Sequence, residues 1–199
     1  MVLDIRGIGQ VLGNFGTSLE QWVKIIGFAA SLHTGSFITR LLDAAGGELP
    51  RDVEFEVWRG LDAITPYHPG PAPAAARELV GLVADGDAVL LTAPEHSLLP
   101  IELTYALDWM AARDGLSGKH VAVMSASARA CGAMWAQAEL NKQLLEARAV
   151  VMGAELVVSP ACPYFDENGR LAAPDLRAQV RAVLGQLCPA GMMEPALSL

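Results

Sequence analysis

At 199 residues, with 52% hydrophobic side chains, the chain has the length and apolar content of one domain around one well-formed core. A formal charge of −8 and an isoelectric point near 4.9 argue against tracking a phosphate backbone or an anionic membrane surface, both of which reward clustered Lys and Arg. Mean hydropathy is high at +0.33, yet Gly, Pro, Asp or His interrupts every apolar run before the roughly 18 residues of a membrane span, so neither nucleic acid nor membrane is an expected partner.

Residues 1–22 read as an N-terminal extension. Asp4, Arg6 and several glycines stand where a signal peptide would need a charged start and a continuous apolar stretch, and Gly7, Gly9, Gly13 and Gly16 oppose a stable helix. The three cysteines, Cys131, Cys162 and Cys188, are odd in number and form no C-x-x-C pair, so they indicate free thiols in a reducing cytoplasm.

The first strand is predicted over 23–28, from Val-Lys-Ile-Ile-Gly-Phe, and the apolar spacing of 36–45 predicts a helix that Gly46-Gly47 stops. Alternating Val and Phe against Glu predicts a strand over 53–58. A Pro/Gly-rich connection, 65–73, leads to an Ala-rich helix over 74–84, and Ala88-Val89-Leu90-Leu91-Thr92-Ala93 is the clearest strand. Pro100 suits the first turn of a helix that runs to about residue 113. Strand four is predicted over 120–124, a helix over 133–150, strand five over 155–158 and a last helix over 174–187, after the acidic turn Asp166-Glu167-Asn168-Gly169. Residues 23–188 form the expected domain and 189–199 a tail.

Alternating strands and helices, with almost wholly apolar strands, predict an α/β fold with a parallel sheet covered on both faces. Five strands favour a flavodoxin-like three-layer sandwich in the order 2-1-3-4-5. Winding reverses there between strands one and three, and the crevice at their carboxyl ends is the expected ligand site.

Three loops border that crevice: 30–36, 94–99 and 125–132. In the first, Ser31, Thr34 and Ser36 hydroxyls flank Gly35 at a helix start, where unpaired N–H groups and the helix dipole favour an anion such as a mononucleotide phosphate. The plainer reading is that Thr34 and Ser36 only cap the helix. The loop carries neither a G-x-x-x-x-G-K-[ST] nor a G-x-G-x-x-G pattern, which leaves a flavin mononucleotide ahead of adenine nucleotides.

Several stretches resemble the NADPH-dependent FMN reductases, a family that includes chromate and quinone reductases. Residues 30–38, Ala-Ser-Leu-His-Thr-Gly-Ser-Phe-Ile, are similar to its G-S-L-R-x-x-S-x-N, and 92–109 to its T-P-E-Y-N-x-S-x-P-x-x-L-K-N-A-I-D-W, retaining Pro94, Glu95, Leu103, Ala106, Asp108 and Trp109. Residues 116–124 resemble L-x-G-K-P-V-A-I-M, and 165–171 resemble F-D-E-x-G-R-L. The order and spacing of these motifs carry the resemblance over about 23–187.

The resemblance implies FMN and NADPH as cofactors, with hydride passing from NADPH through flavin to a quinone, a free flavin or another small acceptor, and a homodimer or homotetramer as the assembly. It implies a cofactor site at Ser31, His33, Thr34, Gly35, Ser36, Phe37, Ile38, Pro94, Glu95, His96, Ser97, Ser125, Ser127 and Arg129. No catalytic side chain or metal ligand is expected, because the flavin carries the chemistry. It also implies an interface role for Trp109, since the helix bearing Asp108-Trp109 usually helps form the family's dimer. Departures cluster in the ligand loops: His33 replaces an arginine, Ile38 an asparagine, His96-Ser97 a Tyr-Asn pair, and Ala128-Arg129 interrupts a glycine-rich turn. They leave an alternative, a flavodoxin-like scaffold that has lost FMN and binds a partner or performs non-redox chemistry in the same crevice.

Overall fold

A computed structural model describes residues 23–93, 99–127, 132–157 and 164–188. Five strands, β1 (Val23–Ala29), β2 (Val53–Val57), β3 (Ala88–Ala93), β4 (His120–Ser127) and β5 (Val150–Val157), form one parallel sheet in the order β2-β1-β3-β4-β5. This is the order expected from the alternating elements. β1 pairs on one side with β2, Ile25 opposite Phe55, and on the other with β3, Gly27 opposite Leu90.

Five helices complete three layers: α1 (Phe37–Gly46), α2 (Ala74–Asp85), α3 (Ile101–Ala111), α4 (Gly132–Glu146) and α5 (Pro174–Leu184). The strand period of two sends Ile26, Phe28, Val89 and Leu91 into a core shared with α2, α3 and α4, and Ile25, Leu90, Ala122 and Met124 into one shared with α1 and α5. Both faces are therefore buried, which is why the strands read as continuous apolar runs.

α1 lies close on the sheet because two glycines make room for one ring. A Cβ on Gly27 of β1 or on Gly46 at the end of α1 would come within 2.6 Å of the Phe55 ring on β2. At its far end α1 is tied to α5: Glu48, buried just past the helix, accepts from Arg177 Nε at 2.7 Å and Arg181 Nε at 2.8 Å. The Glu48 carboxylate holds the Arg177 guanidinium above its usual pKa, by hydrogen bonding first and by charge second.

Several boundaries differ from the sequence reading: α3 ends at Ala111 and α5 at Leu184, each two or three residues early, and two further differences have a physical reason. The helix expected to reach residue 150 ends at Glu146, and β5 begins at Val150, five residues ahead of the expected strand start. Arg148 adopts the left-handed region (φ 63°), and Ala149 N donates to Leu144 O at 3.0 Å, closing the helix in a Schellman-type turn. A glycine would have marked that turn in the sequence. Asp114 (φ 55°) closes α3 in the same way, with Gly115 N on Met110 O at 2.9 Å, and an Arg148–Asp114 ion pair joins the two turns. Second, β4 continues through Ser125-Ala126-Ser127, which pair with Glu155-Leu156-Val157 of β5. The backbone ladder here outweighs the weak strand preference of Ser and Ala.

Substituting Gly27→Ala is expected to lower stability by about 1–3 kcal/mol in urea unfolding, because the Phe55 ring cannot yield without moving β2 or α1. Adding Phe55→Leu should recover part of that loss, a coupling that a double-mutant cycle reads directly.

Candidate functional site

The loop from β1 to α1 leaves the sheet beside the strand at which winding reverses. Ala30 N donates to Thr92 O of β3 at 2.9 Å, so the loop begins pinned across the β1–β3 boundary. Thr92 itself is fully buried, and its Oγ1 has no partner among the described residues. His33, Thr34 and Gly35 are exposed, and Ser31 and Ser36 are half-buried.

One carbonyl organises this loop. His33 O accepts from Ser36 N at 3.1 Å, from Thr39 Oγ1 at 3.0 Å and from Ser31 Oγ at 3.4 Å, while His33 N donates to Ser31 Oγ at 3.2 Å. Ser36 caps α1, its Oγ accepting from Thr39 N at 3.3 Å, and the Ser36 and Thr39 hydroxyl oxygens lie 2.9 Å apart. The capping reading is thus realised by Ser36, and Thr34 takes no part in it. Thr39, 5% exposed, is the residue that the sequence reading missed.

The remaining donors face no acceptor. The N–H groups of Thr34, Gly35, Phe37 and Ile38 make no hydrogen bond among the described residues, and, its chain neighbours aside, none of those residues has an atom within 4 Å of where a Cβ on Gly35 would sit. Four free amides beside open space at a helix N-terminus fit a phosphate. The side chains of Phe37 and Ile38 serve otherwise. Phe37 packs on Tyr164 (5.0 Å between ring centroids) and Phe165 (5.5 Å), and Ile38 is 3% exposed, so each offers this site its backbone alone. The Arg40 guanidinium stacks 4.2 Å over the Phe165 ring, with no carboxylate paired to it among the described residues.

An open cleft flanks the loop on its β2 side, lined by Ser31 and Thr34 together with Trp58, Arg59 and Asp62. Arg59 is held by Asp43 at 2.5 Å, and the buried Trp58 Nε1 is unpartnered among the described residues. Of the other expected site residues, Pro94, Glu95, His96, Ser97 and Arg129 lie outside the described residues. Ser125 and Ser127, expected in a loop, belong to the last residues of β4.

Trp109 corrects an expectation. It is fully buried within its own chain, donating from Nε1 to Thr65 O at 2.8 Å with Tyr67 and His68 edge-on to its ring, so it clamps the 58–73 connection onto α3 and has no surface left for an interface. Its neighbour Asp108 is exposed. Cys188 is buried, and that burial, with the negative Asp52 second, pushes its thiol up and away from nucleophilic use.

The family model described as NADPH-dependent FMN reductase matches residues 23–162. The chain belongs to this family. Among curated relatives, a 2-hydroxy-1,4-benzoquinone reductase of a Burkholderia species is 28% identical over 169 residues, covering 81% of this chain and 92% of that protein. An NAD(P)H-dependent FMN reductase of Pseudomonas aeruginosa is 27% identical over 173 residues, covering 83% and 93%. Among solved structures, the flavoenzyme FerB, an NAD(P)H:(acceptor) oxidoreductase from Paracoccus denitrificans, superposes with a TM-score of 0.72 at 22% identity, over 83% of this chain and 97% of that one. A flavodoxin-like FMN-dependent NAD(P)H oxidoreductase is the activity and fold these findings support, and the scaffold alternative is not favoured. Among the described residues, no helix is long and apolar enough to cross a membrane.

Substituting Ser36→Ala should remove the cap and cost about 1 kcal/mol in thermal or urea unfolding. Ser36→Thr, whose hydroxyl caps the same N–H and still has a proton to give Thr39, should unfold close to wild type. Equal losses in both would mean that the cap contributes nothing.

Proposed function

We propose that this reductase holds the FMN phosphate on the β1–α1 loop, through Ser31, His33, Thr34 and Gly35 and the N–H groups of Phe37 and Ile38, with Ser36 capping α1 beneath it, and passes reducing equivalents from NADPH to a quinone. The observation that carries this reading is the set of four unpaired amides around open Gly35, at the strand where the sheet reverses its winding. Bound FMN would supply the hydride relay between nicotinamide and acceptor. The protein's own contribution is orientation and field: the N-terminus of α1 carries partial positive charge, worth about 0.3–1 kcal/mol toward an anion at an exposed site.

The flavin ring would meet the segments that carry Pro94, Glu95, His96 and Ser97 on one side and Ser125, Ser127 and Arg129 on the other, as the family motifs imply. A quinone acceptor is favoured because a relative at 28% identity is named for a benzoquinone substrate. Residues 23–188 would act as the catalytic domain, with 1–22 and 189–199 as flanking segments. A homodimer or homotetramer in the cytoplasm, where NADPH is supplied, completes the reading.

The deciding experiment is a visible-absorption titration of purified protein with FMN, followed by NADPH oxidation with a benzoquinone. A shifted, saturating flavin spectrum and quinone-dependent turnover are expected; neither binding nor turnover at saturating FMN would overturn the proposal. In the same titration His33→Arg should bind FMN about tenfold more tightly, because a guanidinium adds a charge-assisted, two-point contact to phosphate that imidazole does not make.

A further inference from the structure

We propose that Thr39 is a positioning residue for the phosphate loop, fixing it so that the amides of Thr34, Gly35, Phe37 and Ile38, and not the Ser36 hydroxyl, receive the anion. This rests on the phosphate reading above. The argument is a proton count. A carbonyl oxygen only accepts, so in the 3.0 Å contact between Thr39 Oγ1 and His33 O the proton belongs to Thr39. Thr39 has no second proton to offer. In the 2.9 Å contact between the two hydroxyls, the donor is therefore Ser36. Ser36 Oγ also accepts from Thr39 N, so its proton and an acceptor site are both committed inside the cap.

The three groups form a directed chain, from Ser36 hydroxyl to Thr39 hydroxyl to His33 carbonyl. Thr39 is 5% exposed and Ser36 half-buried, so the link between the two hydroxyls is partly shielded from competing water. The geometric effect of the three-group chain is to draw His33 O back toward the first turn of α1. The carbonyl then turns inward, and the following N–H groups of Thr34 and Gly35 are left unpaired on the same short turn as those of Phe37 and Ile38. Ser36 would be counted a phosphate ligand from its place in the motif; the hydrogen-bond directions make it a cap whose proton is already given away.

The test compares FMN with riboflavin, which lacks the phosphate, by flavin fluorescence titration of wild type, Thr39→Val and Thr39→Ser. Valine keeps the shape and deletes the hydroxyl; serine keeps the hydroxyl. Wild type should prefer FMN over riboflavin, Thr39→Val should lose about tenfold of that preference with riboflavin binding unchanged, and Thr39→Ser should retain it. If wild type shows no preference for FMN, the phosphate reading itself falls. If wild type prefers FMN and Thr39→Val keeps that preference, or if Thr39→Val loses both ligands together, the positioning role is wrong while the phosphate reading stands.

Discussion

β1 must pair on both edges at once, and that constraint sets almost everything else. With a parallel neighbour on each side, the crossover that leaves β1 runs outward to β2 while the one that leaves β3 runs the other way to β4, and right-handed connections then place α1 on one face of the sheet and α3 on the other. Where the directions diverge, no connection covers the carboxyl end of β1. The loop that leaves it is open to ligand for a topological reason, before any side chain is chosen. α1 starts at that opening, and its approach to the sheet is set by one ring, Phe55, seated against Gly27 and Gly46.

An open loop has a cost that the His33 carbonyl offsets. Freed from the ladder, the chain at 31–36 carries donors and acceptors that pair only locally, and a collapsed turn would satisfy them by pairing with one another. Here a single acceptor gathers the internal donors: an amide and two hydroxyls converge on His33 O. The remaining amides stay unpaired among the described residues and are the groups an anion would meet. Rigidity of the loop and vacancy of its donors come from the same set of bonds, an economical way to preorganise a binding site.

How much of this the sequence discloses depends on where punctuation falls. The sheet order was legible because apolar strands alternate with helices bounded by Pro73, Gly86 and Pro100, each of which shows in the letters. The start of β5 was not, since the turn at 147–149 uses Arg148 in a left-handed conformation that sequence rules assign to Gly or Asn. In the site, Ser31, Thr34, Gly35 and Ser36 stand out as a cluster of hydroxyls and a glycine at a strand end. Thr39 does not: it reads as one more residue of a helix, and only the spacing Ser36-x-x-Thr39, which parallels a capping box, hints at its role. Trp109 was misjudged for a related reason. Nothing in its helix shows that Thr65 to His68 fold back over it; that contact belongs to the connection, whose path composition does not specify.

The departures at positions 33 and 38 weigh less than their place in the ligand loop suggests. Replacing an arginine by His33 removes one permanently charged fork, and replacing an asparagine by Ile38 removes one side-chain amide; each is a single contact, and hydrogen bonds to charged groups contribute about 1.5–3 kcal/mol. The backbone contribution is larger in number and indifferent to both changes. Ile38 turns its side chain into the protein, yet as the second residue of α1 it still presents the N–H that any residue but proline would present there. On the proposed reading, substitutions at those two positions would tune affinity. On the proposed phosphate reading, losing the site outright would take a side chain at Gly35 that fills the open space, or a broken latch at His33 O that lets the free amides pair internally, and this chain has neither.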